Sequence, residues 1–105
     1  MKRGELWWMD FGATVGREQA GRRPGLVVSN DRFNASPADL LVAIPLTRTA
    51  RRFTTHVSAG TKSPSFIMCE QIRSVAKARV GSRLGVASPA VMAQVEDVLR
   101  LLLVL

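Results

Sequence analysis

The sequence predicts an α+β domain that is mainly β, a small antiparallel barrel carrying one helix at its C-terminus. Three observations carry that reading. Short apolar or aromatic runs recur along residues 5–87, bounded by glycine, proline, asparagine and serine. Only the last segment has helical periodicity, and it brings its own start signal. The chain has 105 residues, enough for a single hydrophobic core and one domain, 1–105.

The elements follow in order. Glu5 to Phe11 (ELWWMDF) is an aromatic run that reads as the first strand. Gly12 to Gly21 (GATVGREQAG) holds three glycines and no apolar period, so it is a loop. Loops of that length in compact domains are usually functional or mobile. Pro24 to Ser29 (PGLVVS) is a second strand, with Pro24 at its start, where a missing N–H is tolerated. Asn30 to Asp39 is turn chemistry enclosing a short helical turn. Leu40 to Leu46 is a continuous apolar run, hence a central strand. Phe53 to Ser58 is strand-like, Ser65 to Val75 is one strand or two joined by a bend, and Gly81 to Ala87 ends in a short strand. Ser88 then caps a helix with Pro89 at its first position, and Val91, Val95, Val98, Leu99, Leu102 and Leu103 recur at helical spacing.

Charge narrows the function. The chain has fifteen Lys+Arg against eight Asp+Glu, a net charge of +7, and twelve of the fifteen cations are arginine. Arg17, Arg22 and Arg23 fall at one loop, and Arg48, Arg51 and Arg52 at another. Two arginine-rich loops on one small domain point to an anionic polymer as partner. A single cysteine, Cys69, excludes an intrachain disulfide and suits a reducing cytoplasm. The apolar run after Met1–Glu5 is too short for a signal peptide, and Val98 to Leu105 falls far below the roughly 20 residues that span a bilayer. The expectation is a cytoplasmic protein with no membrane contact.

Four segments then line up with a known pattern. Gly4-Glu5-Leu6-Trp7 opens the first strand, and Arg17-Glu18-Gln19-Ala20-Gly21-Arg22-Arg23-Pro24 precedes Leu26-Val27-Val28-Ser29-Asn30-Asp31. Ile44-Pro45-Leu46-Thr47 closes the third strand, and Glu70-Gln71-Ile72-Arg73-Ser74-Val75 follows. In this order and spacing the chain resembles the MazF/PemK toxins over nearly its whole length. The resemblance implies an SH3-like barrel of the CcdB/PemK type, acting as a homodimer. It further implies sequence-selective cleavage of single-stranded RNA and restraint by an acidic antitoxin. The residues matching the motif are Glu18 with Gln19, Arg23, and Thr47. One departure stands out: many relatives carry an acid after the Ser-Val pair, whereas this chain has Ala76.

The chemistry can be reasoned from the residues themselves. Metal-free RNA cleavage needs a group to take the proton of the attacking 2′-OH and a group to hold charge on the phosphoryl oxygens. Arg23 suits the second task because its fork grips two oxygens at once. Electrostatic stabilisation, rather than proton donation, is therefore the role expected of Arg23. The Thr47 hydroxyl or a backbone N–H can supply a further contact. Glu18, the only carboxylate of the first loop, is the candidate base or an orienting group. Gln19, Arg17, Arg22, Arg48 and Arg51 are candidate RNA contacts, while Arg73 either contacts RNA or sits on the outward face of its strand.

Other residues have plainer readings. Trp7 and Trp8 point to opposite faces of their strand, so one is core and the other stacks a base or packs in a dimer. His56 stands alone, with no second histidine in the chain, so neither a metal nor another cofactor is expected. Cys69 lies among Ile67, Met68 and Ile72 as a buried small hydrophobe. The helix becomes apolar nearly all round from Val98, which favours a dimer contact. The competing functions are a gyrase poison of the CcdB type, for which the C-terminus lacks a tryptophan, and a basic barrel that binds RNA without cutting it.

Overall fold

The structure is a computed structural model that describes residues 1–13, 16, 21–51, 53–61 and 63–105. Arg17, Glu18, Gln19 and Arg52 lie outside the described residues. Among those described, the order is β1 (Glu5–Asp10), β2 (Arg22–Val27), α1 (Asp31–Asn34), β3 (Leu40–Thr47), β4 (His56–Ser58), β5 (Phe66–Met68), β6 (Arg73–Ala76), β7 (Val80–Val86) and α2 (Pro89–Leu103). Single 3₁₀ turns, Cys69–Gln71 and Lys77–Arg79, flank β6.

All seven strands join one antiparallel sheet in the order β4-β5-β3-β2-β1-β7. The remaining strand, β6, pairs with Leu40–Ala43 of β3, while β5 pairs with the Leu46–Thr47 end of the same strand. The expected mainly antiparallel α+β architecture with a C-terminal helix is therefore what forms.

Side-chain alternation divides the interior in two. On β3, Val42, Ile44 and Leu46 face one cluster, and Leu41 and Ala43 face the other. On β2, Leu26 joins the first and Val27 the second. Helix α2 covers the first cluster with Val91 and Val95, both buried. Its start is the one the sequence foretells: the Ser88 side chain accepts from the Val91 N–H at 3.2 Å, and Pro89 occupies the first turn. Gly25 of β2 is a close approach. A Cβ there would lie 2.5 Å from Met9 Sδ and 3.0 Å from Phe11 Cζ, so the second cluster closes directly on its backbone.

Two strand starts differ from expectation. Strand β2 begins at Arg22, so Pro24 is its third residue. The ladder with β3 starts only at Gly25, which leaves Pro24 a free edge on that side. Strand β4 starts at His56 because Phe53 to Thr55 turn instead, with the His56 N–H donating to Phe53 O at 3.1 Å. At the far end of α2, Val98 and Leu99 pack partly on the core, while Leu101 and Leu105 are 82% and 84% exposed.

Candidate active site

The first arginine loop is pinched at its base. The Phe11 N–H donates to Gly21 O at 2.9 Å, the Gly21 N–H donates to Gly12 O at 2.8 Å, and Asp10 Oδ1 accepts from the Gly12 N–H at 2.9 Å. Gly12 and Gly21 take φ of +79° and +76°, a region that suits glycine. Arg73 adds a clamp from β6. Its Nη1 donates to Phe11 O at 3.0 Å, and its guanidinium lies 5.9 Å from the centre of the Phe11 ring. Arg17, Glu18 and Gln19, between Gly12 and Gly21 in sequence, fall outside the described residues.

Beside this base, β1, β2 and β3 form the floor of a groove of about 570 Å³ lined by Trp8, Arg22, Arg23, Pro24, Leu46, Thr47, Arg48, Ser63, Ser65 and Leu84. Arg23 is half-buried, and its Nη1 donates to Leu46 O at 3.2 Å. That bond places the guanidinium at the carbonyl immediately before Thr47. The Thr47 Oγ1 accepts from the Thr49 N–H at 3.2 Å. Among the described residues its own O–H hydrogen is left to donate elsewhere. Three guanidinium groups line the groove, and no carboxylate does among the described residues. The site therefore attracts anions, and an arginine fork at a strand junction can grip two oxygens of one phosphate.

The structure brings together Arg23, Thr47, Arg22 and Arg48 from the candidate residues. It places Arg51 on an exposed segment outside the groove lining and Arg73 at the loop clamp. Sequence reasoning missed the groove's Ser63, Ser65 and Leu84. It also missed a second recess of about 520 Å³, lined by Asp10, Arg22, Ala78, Arg79, Val80 and Gly81 and sharing Arg22 with the first. Strand pairing brings them in: Leu84, Val80 and Gly81 lie on β7, which pairs with β1, and Ser65 precedes β5, which pairs with the Thr47 end of β3.

Two further polar groups lie outside the groove lining. Thr55 Oγ1 donates to Glu70 Oε1 at 2.7 Å, and His56 Nε2 lies 3.0 Å from Glu70 Oε2 with the imidazole only 3% exposed. Burial pushes the Glu70 carboxyl up, but hydrogen bonds from Thr55 and His56 outweigh it and leave the group below its ordinary range. His56 is therefore not solitary; its partner is fourteen residues away in sequence. Beside them, burial and the neighbouring Glu70 charge push the Cys69 thiol up to about 11, so it stays protonated and unreactive at neutral pH. Among the described residues no group of three or more His, Cys, Asp or Glu side chains could hold a metal ion.

Comparisons with known proteins identify the family and the fold. Residues 2–103 match the model of the PemK-like, MazF-like toxin of type II toxin-antitoxin systems. The chain is 36% identical to endoribonuclease MazF9 of Mycobacterium tuberculosis, over 96% of this chain and 94% of that protein. The crystal structure of MazF from Deinococcus radiodurans superposes with a TM-score of 0.91 at 30% identity, covering 100% of this chain and 97% of that one. An endoribonuclease from a mycobacterial species, solved in complex with its cognate antitoxin, superposes with a TM-score of 0.82 at 29% identity, covering 100% and 96%. With a family model spanning nearly its whole length and this groove at the strand junction, the chain belongs to the PemK/MazF toxins of type II toxin-antitoxin systems.

Proposed function

We propose that this chain, as one domain over residues 1–105, cuts single-stranded RNA at the Arg23–Thr47 groove. The observation that carries the reading is the convergence of Arg23, with its hydrogen bond to Leu46 O, and Thr47, with a hydroxyl proton to donate, in a groove lined by cations. RNA brings its own nucleophile. The 2′-OH attacks the adjacent phosphorus, the 5′-oxygen leaves, and a 2′,3′-cyclic phosphate remains. Arg23 and Thr47 hold the charge that builds on the phosphoryl oxygens as the phosphorus becomes five-coordinate. Glu18 accepts or steers the 2′-OH proton, and the leaving oxygen collects a proton from solvent. Arg22 and Arg48 line the path of the flanking phosphates, and Arg17, Gln19, Arg51 and Arg73 extend the contact surface.

The assembly follows from the same surface. Leu101, Leu103 and Leu105 are exposed at the end of α2, and such a patch favours a closed homodimer. A monomer in sedimentation equilibrium at micromolar concentration would contradict this. An acidic antitoxin segment, like the cognate antitoxin of the mycobacterial relative, fits the cationic groove and excludes RNA by charge and volume. Added in trans, such a segment inhibits cleavage in the cytoplasm-like buffers where the toxin acts.

The test is cleavage of a defined single-stranded RNA in EDTA, with both new ends mapped. The expected products carry a 2′,3′-cyclic phosphate and a 5′-hydroxyl. Loss of activity in EDTA with recovery in Mg²⁺ would sink the mechanism, and binding without cutting would reduce the protein to an RNA-holding barrel.

A further inference from the structure

The adjacent tryptophans of β1 end in opposite situations. Trp7 is committed to the fold. Its Nε1–H donates to Glu5 Oε1 at 3.3 Å, and its ring packs against the cluster of Met9, Phe11 and Val27. Trp8 is half-buried and lines the groove, and among the described residues it makes no hydrogen bond and no ring contact. A tryptophan kept only for packing usually finds a partner for its N–H.

The residues flanking Trp8 on the neighbouring strands are small. Across the ladder it faces Pro24, a flat residue without an N–H. On the other side lies Gly81, where an added Cβ would come within 3.6 Å of both Trp8 Cβ and Trp8 O. No side chain rises from position 81 over the indole. The same groove is lined by Arg22, Arg23, Thr47 and Arg48. A groove-lining indole in the same recess as Arg23 matches the two halves of a nucleotide: the base stacks while its phosphate is held.

We propose that Trp8 is the stacking platform for the nucleobase next to the scissile phosphate, and so a specificity-determining residue of the groove. This rests on the reading of the chain as an RNA-cutting enzyme. Stacking fixes the register of the strand, because the base seated on Trp8 determines which phosphate reaches Arg23. Duplex RNA is rejected by the same device, since its bases are already stacked on one another.

The experiment uses the wild-type protein on RNAs carrying a single abasic nucleotide at each position around the mapped cut. One position should raise KM about tenfold or more, the scale of losing a stacked base, with a smaller change in kcat. Trp8→Leu should impose that penalty on intact RNA and none on RNA already abasic at that position, while Trp8→Phe restores most of the binding. In a Trp7→Phe protein, where Trp8 is the only fluorophore, an uncleavable 2′-deoxy-blocked oligonucleotide should quench emission, and its abasic counterpart should not. Emission indifferent to RNA, as when a second copy of the chain covers the ring, overturns the proposal. So does a Trp8→Leu penalty of equal size on intact and abasic RNA. Failure to cut any RNA overturns the enzymatic reading instead; cutting every abasic RNA as fast as the intact one overturns the platform alone.

Discussion

The groove around Arg23 and the cluster around His56 use similar materials, a hydroxyl, a ring and an ionisable group, in opposite ways. In the cluster, Thr55, His56 and Glu70 spend their hydrogen bonds on one another, and Phe53 seals the imidazole edge-on at 5.0 Å. Only His56 Nδ1 is left buried without a partner among the described residues. In the groove, cations and a hydroxyl gather with no carboxylate in the described lining, and Trp8 makes no hydrogen bond among the described residues. A closed polar group holds a fold together; an open one of a single sign waits for a ligand. On the reading proposed above, Thr55–His56–Glu70 serves stability and Arg23–Thr47 serves chemistry.

The largest effect should come from the open site. Arg23→Ala should lower turnover by about 10²-fold or more, the scale of losing one charge-stabilising donor, with little change in thermal unfolding. Arg23→Lys should also be poor, because a point charge cannot grip two oxygens. Thr47→Ala should cost less than Arg23→Ala. Single-turnover rates with a melting curve for each variant read both quantities, and near wild-type rates for a folded Arg23→Ala protein would place the chemistry elsewhere.

The closed cluster should answer the other way. Glu70→Gln removes the charge that Thr55 and His56 surround, and should cost about 1–3 kcal/mol of stability, the price of disturbing a half-buried hydrogen-bonded carboxylate. Turnover at a temperature where the variant is folded should change little. A folded Glu70→Gln protein with lost turnover would break the comparison.

The smallest effect concerns Glu5. Its carboxyl is lowered from an ordinary 4.5 to about 2, first by the hydrogen bond from Arg83 Nε and then by the Lys2 N–H. A depressed folded pKa contributes stability above the unfolded value and loses it as pH falls toward the folded one. Stability should therefore decline between pH 4.5 and about 2, and Glu5→Gln should flatten that part of the curve. An unchanged acid slope in the variant would remove Glu5 from the account.

Local signals were the legible ones. Ser88-Pro89 announces α2 because capping involves neighbours in sequence, and Asn30 does the same for the turn Asp31–Asn34, its side chain accepting from the Arg32 N–H at 2.7 Å. Thr47 and Arg23 were found through the family motif, and the hydrogen bond from Arg23 to Leu46 O, 23 positions away, brings the two into one groove. What stayed hidden depends on pairing across the sheet. Arg73 reads as an outward cation until Phe11, 62 residues away, receives its hydrogen bond. His56 reads as solitary until the β4–β5 ladder sets it opposite Met68, two residues from Glu70. Alternation shows that Trp7 and Trp8 diverge, but not which face ends in the core and which in the groove.

The claim that the groove cuts RNA through the RNA's own hydroxyl has one direct test. A single 2′-deoxy nucleotide is placed on the 5′ side of the mapped scissile phosphate, leaving every other contact intact. The account predicts binding within about threefold of the all-ribose strand, since the phosphate charge that dominates affinity is unchanged, and no cleavage at that bond in EDTA. Cleavage at the deoxy position would contradict it, because no 2′-oxygen would be there to attack.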